Sequence, residues 1–310
     1  MLALAAAVSA AERIVPRWPP AGQRLRVVID TDAACEIDDR YAIAMALAAQ
    51  DRFRIEGFVG AHFGDSGGPG GIAKSVDAIR AILEKAGMAG RFPVKRGASP
   101  FQYSALPVES EGVDFLIERA LAKDEQTPLW IISLGACTDV AAAWLKRPEI
   151  AAKVAVFWHG RTQFWPEKCW NFNVYNDLKA VRILFASDLP LILFDTGTHL
   201  TCPMAESEQR LKPCGELGKY LHEFRLRSPG FQSPTKGFFD LGDIAALAEP
   251  GLAKWEVVSA PNVHWDMLYQ PGKGRGQIVR VHAMDRDGTF DLFYRKMTAA
   301  FPPSRAESTR

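Results

Sequence analysis

The chain lacks what would mark a nucleic-acid or membrane protein. Its 37 basic and 36 acidic residues leave a net charge of +1, so no basic field grips a phosphate backbone and no block of like charge forms a tail. No apolar run reaches the roughly 20 residues of a spanning helix. The five cysteines, Cys35, Cys137, Cys169, Cys202 and Cys214, are an odd count that cannot pair completely within one chain, and no CxxC spacing suggests zinc. Cys202 and Cys214 can form a bridge in an exported protein, while an unpaired set suits a reducing compartment equally, so the compartment stays open. No internal repeat is present. The one glycine-rich stretch, 64–71, lacks the Lys-Ser/Thr of a P-loop and the spacing of a dinucleotide fingerprint, and reads as a mobile lid or a plain connector.

What the chain does have is acid in one place. Asp30, Asp32, Asp38 and Asp39 fall within ten residues, just after the β-branched run Val27-Val28-Ile29, which suits a strand covered on both faces. One aspartate can be explained as the cap of the following helix. The others cannot, and ionised carboxylates this close repel one another unless a cation or protons compensate. Hard oxygen donors favour Ca²⁺ or Mg²⁺ over zinc.

Along the chain, apolar β-rich runs (26–29, 55–60, 93–95, 129–134, 154–158, 189–194) alternate with helical periodicity (39–49, 72–85, 113–123, 138–146, 177–186). That alternation predicts an α/β fold, a mostly parallel sheet with helices on both faces. Ligands of such sheets bind at the carboxyl ends of the strands. Asp30 and Asp32, the 60–63 turn, the 135–139 turn and His159 should therefore share one rim. Further on, 206–212, 216–226 and 240–248 read as helices and 255–260 as a strand, with Asp287-Gly288 turning a hairpin between 280–283 and 290–293. The expected organisation is a leader and linker over 1–24, one domain over 25–300 with a helical flap near 197–240, and a tail over 301–310. Residues 1–11 suit signal cleavage after Ala10 or Ala11 but lack a basic start; folding is expected to begin near Leu25.

Taken in order, Asp30-Thr31-Asp32 with Asp38-Asp39, Gly135-Ala136-Cys137-Thr138-Asp139, Asn171-Phe172-Asn173 and Asp240-Leu241-Gly242-Asp243 resemble the motifs of the inosine-uridine preferring nucleoside hydrolase family. The resemblance covers about residues 25–260. It implies a Rossmann-like nucleoside hydrolase fold and a calcium-dependent N-glycosidase. It places Ca²⁺ on Asp32, Asp39, the Thr138 carbonyl and Asp240, makes Asp32 the base for water, and gives Asp38, Asn171 and Asn173 to the sugar. Asp240 is favoured over Asp243 because 244–250 then falls on the family's apolar helix and its closing proline. A nucleoside is the implied partner, and a homo-oligomer is expected by analogy.

Three departures stand out. The loop between Asp32 and Asp38 is two residues longer than usual and adds Glu36. Asn171 stands where many members carry Glu against the 5′-hydroxyl. Phe239 stands where some carry a proton-donating His, and a phenyl ring is no acid; His62, His159 and His264 are the candidates to replace it. Phe63, Phe164, Trp165, Trp170, Phe238 and Phe239 are candidates to stack on a base. Two other readings remain open: a phosphohydrolase of the haloacid-dehalogenase kind, which leaves Asp38-Asp39 without a role, and a non-catalytic sugar or nucleoside binder.

Overall fold

The computed structural model describes residues 13–104, 106–160 and 164–303. Most of the expected leader and of the expected tail lie outside them. In chain order the strands are β1 (Leu25–Thr31), β2 (Phe53–Gly60), β3 (Val94–Arg96), β4 (Leu129–Ser133), β5 (Val154–His159), β6 (Leu191–Phe194), β7 (Thr201–Pro203), β8 (Thr235–Gly237), β9 (Ala253–Ser259), β10 (Asn262–Val263), β11 (Tyr269–Gln270) and β12 (Gln277–Met284). The helices are α1 (Asp38–Ala48), α2 (Gly64–Gly67), α3 (Gly71–Lys85), α4 (Glu111–Ala120), α5 (Thr138–Lys146), α6 (Phe172–Asn176), α7 (Leu178–Ala186), α8 (Met204–Glu206), α9 (Gly215–Arg227), α10 (Leu241–Ala248) and α11 (Arg286–Ala300).

Eight strands form one sheet in the order β3-β2-β1-β4-β5-β6-β12-β9. All its pairings are parallel except β12 with β9. This is the predicted α/β architecture, and the period of two explains it locally. Val27 and Ile29 enter one buried cluster with α1, α3, α10 and α11, while Val28 enters the other with α4, α5 and α7. Both faces of β1 are covered, so from Val27 to Ile29 the strand carries only apolar residues. Among the described residues, no helix is long and apolar enough to cross a membrane.

Two expectations need correction, and the open alternative for Cys202 and Cys214 closes on the unpaired set. No hairpin follows β12. Asp285 accepts the Gly288 N–H at 3.1 Å as an N-cap, and Phe290, Phe293, Tyr294 and Met297 bury at helical spacing, so capping and the three-to-four period prevail over the Asp-Gly turn signal. Cys202 and Cys214 are free; Cys202 Sγ lies 3.3 Å from the Tyr294 hydroxyl and Cys214 Sγ 3.6 Å from that of Thr298. Nor does folded structure wait for Leu25. The guanidinium of Arg13 is buried and donates to the carbonyls of Leu184, Phe185 and Ser187 at 2.6–3.1 Å, satisfying the open end of α7, and Trp18 stacks on Trp255. The glycine-rich stretch forms α2 and a 3₁₀ turn leading into α3.

Candidate active site

A cavity of about 180 Å³ opens at the carboxyl ends of the central strands. β1 delivers Asp32 to it one residue past its end, and the lengthened loop, tied by the Cys35 N–H to the Asp32 carbonyl at 2.7 Å, delivers Asp38 and Asp39 as the first residues of α1. Asp39 accepts the Thr31 hydroxyl. Asp38 Oδ2 accepts the backbone N–H groups of Phe239 and Asp240 at 3.0 and 3.3 Å, so the early acids physically hold the late one. Asp240 stands immediately before α10, makes no side-chain cap bond and faces the cavity, where Asp38, Asp39 and Asp240 each offer an oxygen within 4.8 Å of the others. Asp30 does not line the cavity; it lies beneath, accepting Ser133 Oγ at 3.0 Å. Gly135 is required by this crowding, because a Cβ there would meet Asp32 Oδ1 at 2.7 Å.

Protein charge compensates the cluster only in part: burial and the neighbouring aspartates outweigh the lowering of Asp39 by Arg40. Burial, followed by repulsion from Asp38 and Glu36, pushes Asp32 up to about 7. Burial and then the neighbouring aspartates raise Asp39 and Asp240 well above the usual carboxylate range. Nearby cations are engaged elsewhere: Lys236 pairs with Glu36 at 2.6 Å and Arg40 donates to the Tyr220 hydroxyl at 2.9 Å. Asp38 Oδ1 is buried with no hydrogen-bond partner. An oxygen-only, anionic, partly orphaned donor set of this kind fits a hard divalent cation.

The model of the inosine-uridine preferring nucleoside hydrolases matches residues 27–292. The chain belongs to this family. Curated relatives include a putative pyrimidine-specific ribonucleoside hydrolase, RihB, of Shigella boydii, 26% identical over 129 residues that cover 38% of this chain and 52% of that protein. The Escherichia coli K12 protein of the same kind is also 26% identical, with 40% of its length covered. The match thus spans about half the length of these relatives or less. Among solved structures, a plant nucleoside hydrolase, PpNRh1, superposes with a TM-score of 0.71 at 20% identity, covering 89% of this chain and 99% of that one. An inosine-uridine preferring nucleoside hydrolase from Bacillus anthracis gives 0.65 at 18%, covering 88% and 99%. At these identities the superpositions show the shared fold.

Against the family pattern, the structure brings Asp32, Asp38, Asp39, Asp240, Asn171 and Asn173 together around the cavity. Thr138 is not among the lining residues. It begins α5 one turn farther on, with its hydroxyl donating to Asp177 Oδ2 at 2.8 Å and lying 2.7 Å from His62 Nε2. The lining residue at the end of β4 is Leu134, whose carbonyl accepts Asn173 Nδ2 at 2.7 Å. Motif matching points to the threonine; the signal for Leu134 was its place as the last residue before the turn, where a strand's carbonyl comes free. Asn171 serves partly as a cap, its Oδ1 accepting the Val174 N–H at 3.0 Å.

Of the three histidines, only His159 lines the cavity. His62 is buried in the Thr138-Asp177 chain, and burial lowers its pKa; His264 is half-exposed beside Asp266. Among the aromatics, Phe239 lines the wall together with Phe172, which sequence reasoning missed. Phe63 and Phe238 are core residues, and Trp165 packs on Tyr269.

Proposed function

We propose that this chain hydrolyses the N-ribosidic bond of a nucleoside or related N-ribosyl compound with the aid of calcium. Asp32, Asp39, Asp240 and the carbonyl of Leu134, in place of that of Thr138, would hold the ion. The observation that carries the reading is the convergence of Asp32, Asp38, Asp39 and Asp240, all buried, on one cavity at the strand ends. Calcium takes six to eight oxygens, and the three carboxylates and one carbonyl leave room for water and sugar hydroxyls. When bound, it would supply a lowered water pKa and a fixed grip on the sugar.

The residues divide the remaining work. Asp32, which faces the cavity at the end of β1, accepts the proton of the attacking water. Asp38 keeps Oδ1 for a ribose hydroxyl while Oδ2 holds the 239–240 backbone. Asn173 spends both amide hydrogens on the carbonyls of Leu134 and His159, leaving its oxygen to accept from the sugar. Asn171 has its Oδ1 committed and its Nδ2 without a partner, so it offers the sugar a donor where a glutamate would offer charge. Water adds at the anomeric carbon as the bond to nitrogen breaks, and the anionic floor favours the positive charge that builds on the ring. Phe172 and Phe239 give the leaving base an apolar wall.

The test is release of reducing sugar from a panel of purine and pyrimidine nucleosides with Ca²⁺, beginning with uridine because the curated relatives named above are pyrimidine-specific. Hydrolysis that disappears with EDTA and in Asp32→Ala supports the reading. A panel without any metal-dependent signal, in a protein that still binds nucleoside, would leave the non-catalytic binder instead, and turnover of p-nitrophenyl phosphate alone would favour the phosphohydrolase.

A further inference from the structure

Asp240 and Asp243 lie one turn apart on α10, a spacing that puts both on one face of the helix. His159, the last residue of β5, reaches between them: its Nδ1 is 2.6 Å from Asp243 Oδ2 and 3.3 Å from Asp240 Oδ1. A carboxylate has no hydrogen to give, so Nδ1 carries it and donates chiefly to Asp243, with Asp240 on the longer arm. The ring is held in that pose from several sides. Asn173 Nδ2 binds the His159 carbonyl at 3.0 Å, and Phe194 packs against the imidazole with ring centroids 5.5 Å apart. Gly160 lets the chain turn away immediately, since a Cβ there would meet Leu193 at 2.4 Å.

We infer that His159, anchored by Asp243, is a positioning residue that fixes the Asp240 carboxylate toward Asp38 and Asp39 and so preorganises the cation site. Two elements share the task of placing Asp240: Asp38 holds its backbone N–H, and His159 holds its side chain. Asp243 is fully buried and is paired with His159 at 2.6 Å. Partners of this kind are worth a large factor because a ligand that must be ordered on binding weakens the metal. The inference rests on the cation-binding reading of the site.

Calorimetric titration of Ca²⁺ into the chelator-treated full chain tests it, with the thermal midpoint of each metal-free protein as the check on folding. His159→Ala is expected to weaken Ca²⁺ binding about 10- to 100-fold. His159→Asn, whose amide N–H stands where Nδ1–H stood, is expected to recover most of that loss. Asp243→Ala should weaken binding by a similar factor, and the double variant should lose little more, because both act through one contact. Unchanged Ca²⁺ affinity in a folded His159→Ala overturns the inference alone. An equal loss in His159→Asn also overturns it, by making the ring nitrogen itself a ligand. Should His159→Ala fail to fold, His159→Asn and Asp243→Ala decide. If the unaltered chain binds no divalent cation, the metal reading falls and this inference with it.

Discussion

The two ends of the sheet handle buried charge in opposite ways. At the amino end, Glu56 on β2 is nearly inaccessible, yet Arg26 Nε and Arg119 Nε each lie 2.8 Å from it and Arg54 3.0 Å. Burial raises its pKa, but the hydrogen bonds from Arg26 and Arg119 outweigh that and hold it below the ordinary value. At the carboxyl end, Asp32, Asp39 and Asp240 are as deeply buried and meet one another, with burial and mutual repulsion both raising them. One rim has closed its charge within the protein; the other has been left open. A buried ion pair resolved by arginine stabilises a fold at best modestly. An unresolved cluster is useful only to something that arrives from outside.

The largest expected effect is on catalysis at the open rim. Asp32→Asn keeps the shape and removes the base, so the rate of sugar release should fall about 10²- to 10⁴-fold, while the metal-free thermal midpoint stays level or rises because one repelling charge is gone. A marked fall in that midpoint would show that Asp32 is structural. Next comes the closed rim: Glu56→Ala leaves the buried Arg26 with Glu125 at 3.6 Å and the carbonyls of Thr127 and Arg119, and should cost at most about 3 kcal/mol, measured by urea denaturation, with little change in turnover.

The third prediction sets pH against the comparison. Asp32 is raised from its ordinary 3.8 to about 7. The metal-free folded chain therefore keeps a proton that the unfolded chain has released between about pH 4 and about pH 7. Its stability should fall as pH rises through that window and level off above it. Ca²⁺ should restore the midpoint more at about pH 7.5 than at about pH 5, because protons compete with the ion for the same oxygens. A metal-free stability that climbs over the same window would contradict the open-rim picture. The smallest effect is at the mouth. Glu36 is half-exposed and its pair with Lys236 is correspondingly weak, so Glu36→Gln should change stability by less than about 1 kcal/mol and show itself, if anywhere, in KM.

Much of this was legible in the sequence, for identifiable reasons. The sheet could be read because Val27–Ile29, Leu129–Ile132 and Val154–Phe157 are buried on both sides, which makes each of them an unbroken apolar run. The aspartates were readable as a group because they begin where the apolar run of β1 ends. The late acid was legible too: Asp240 meets Asp38 and Asp39, as the register of the apolar helix required. Less visible was what depends on where the backbone turns. Any residue has a carbonyl, so nothing in the side-chain pattern distinguishes Leu134 from Thr138; only the strand end does. The role of Asp243 needed His159 from 84 residues away, a partnership no local spacing records. The false hairpin came from weighing Asp287-Gly288 above the Asp285 cap that stands just before it.

The clamp made by Arg13 ties the segment ahead of the first strand to the core. A protease acting after Ala10 or Ala11 would leave the arginine seated on the carbonyls at the end of α7. Trimming to Leu25 would instead pull the Arg13 plug from that helix and the Trp18 ring from Trp255, exposing the underside of β5 and β6 to water. The proline-rich segment ahead of the first strand is thus part of the packed fold.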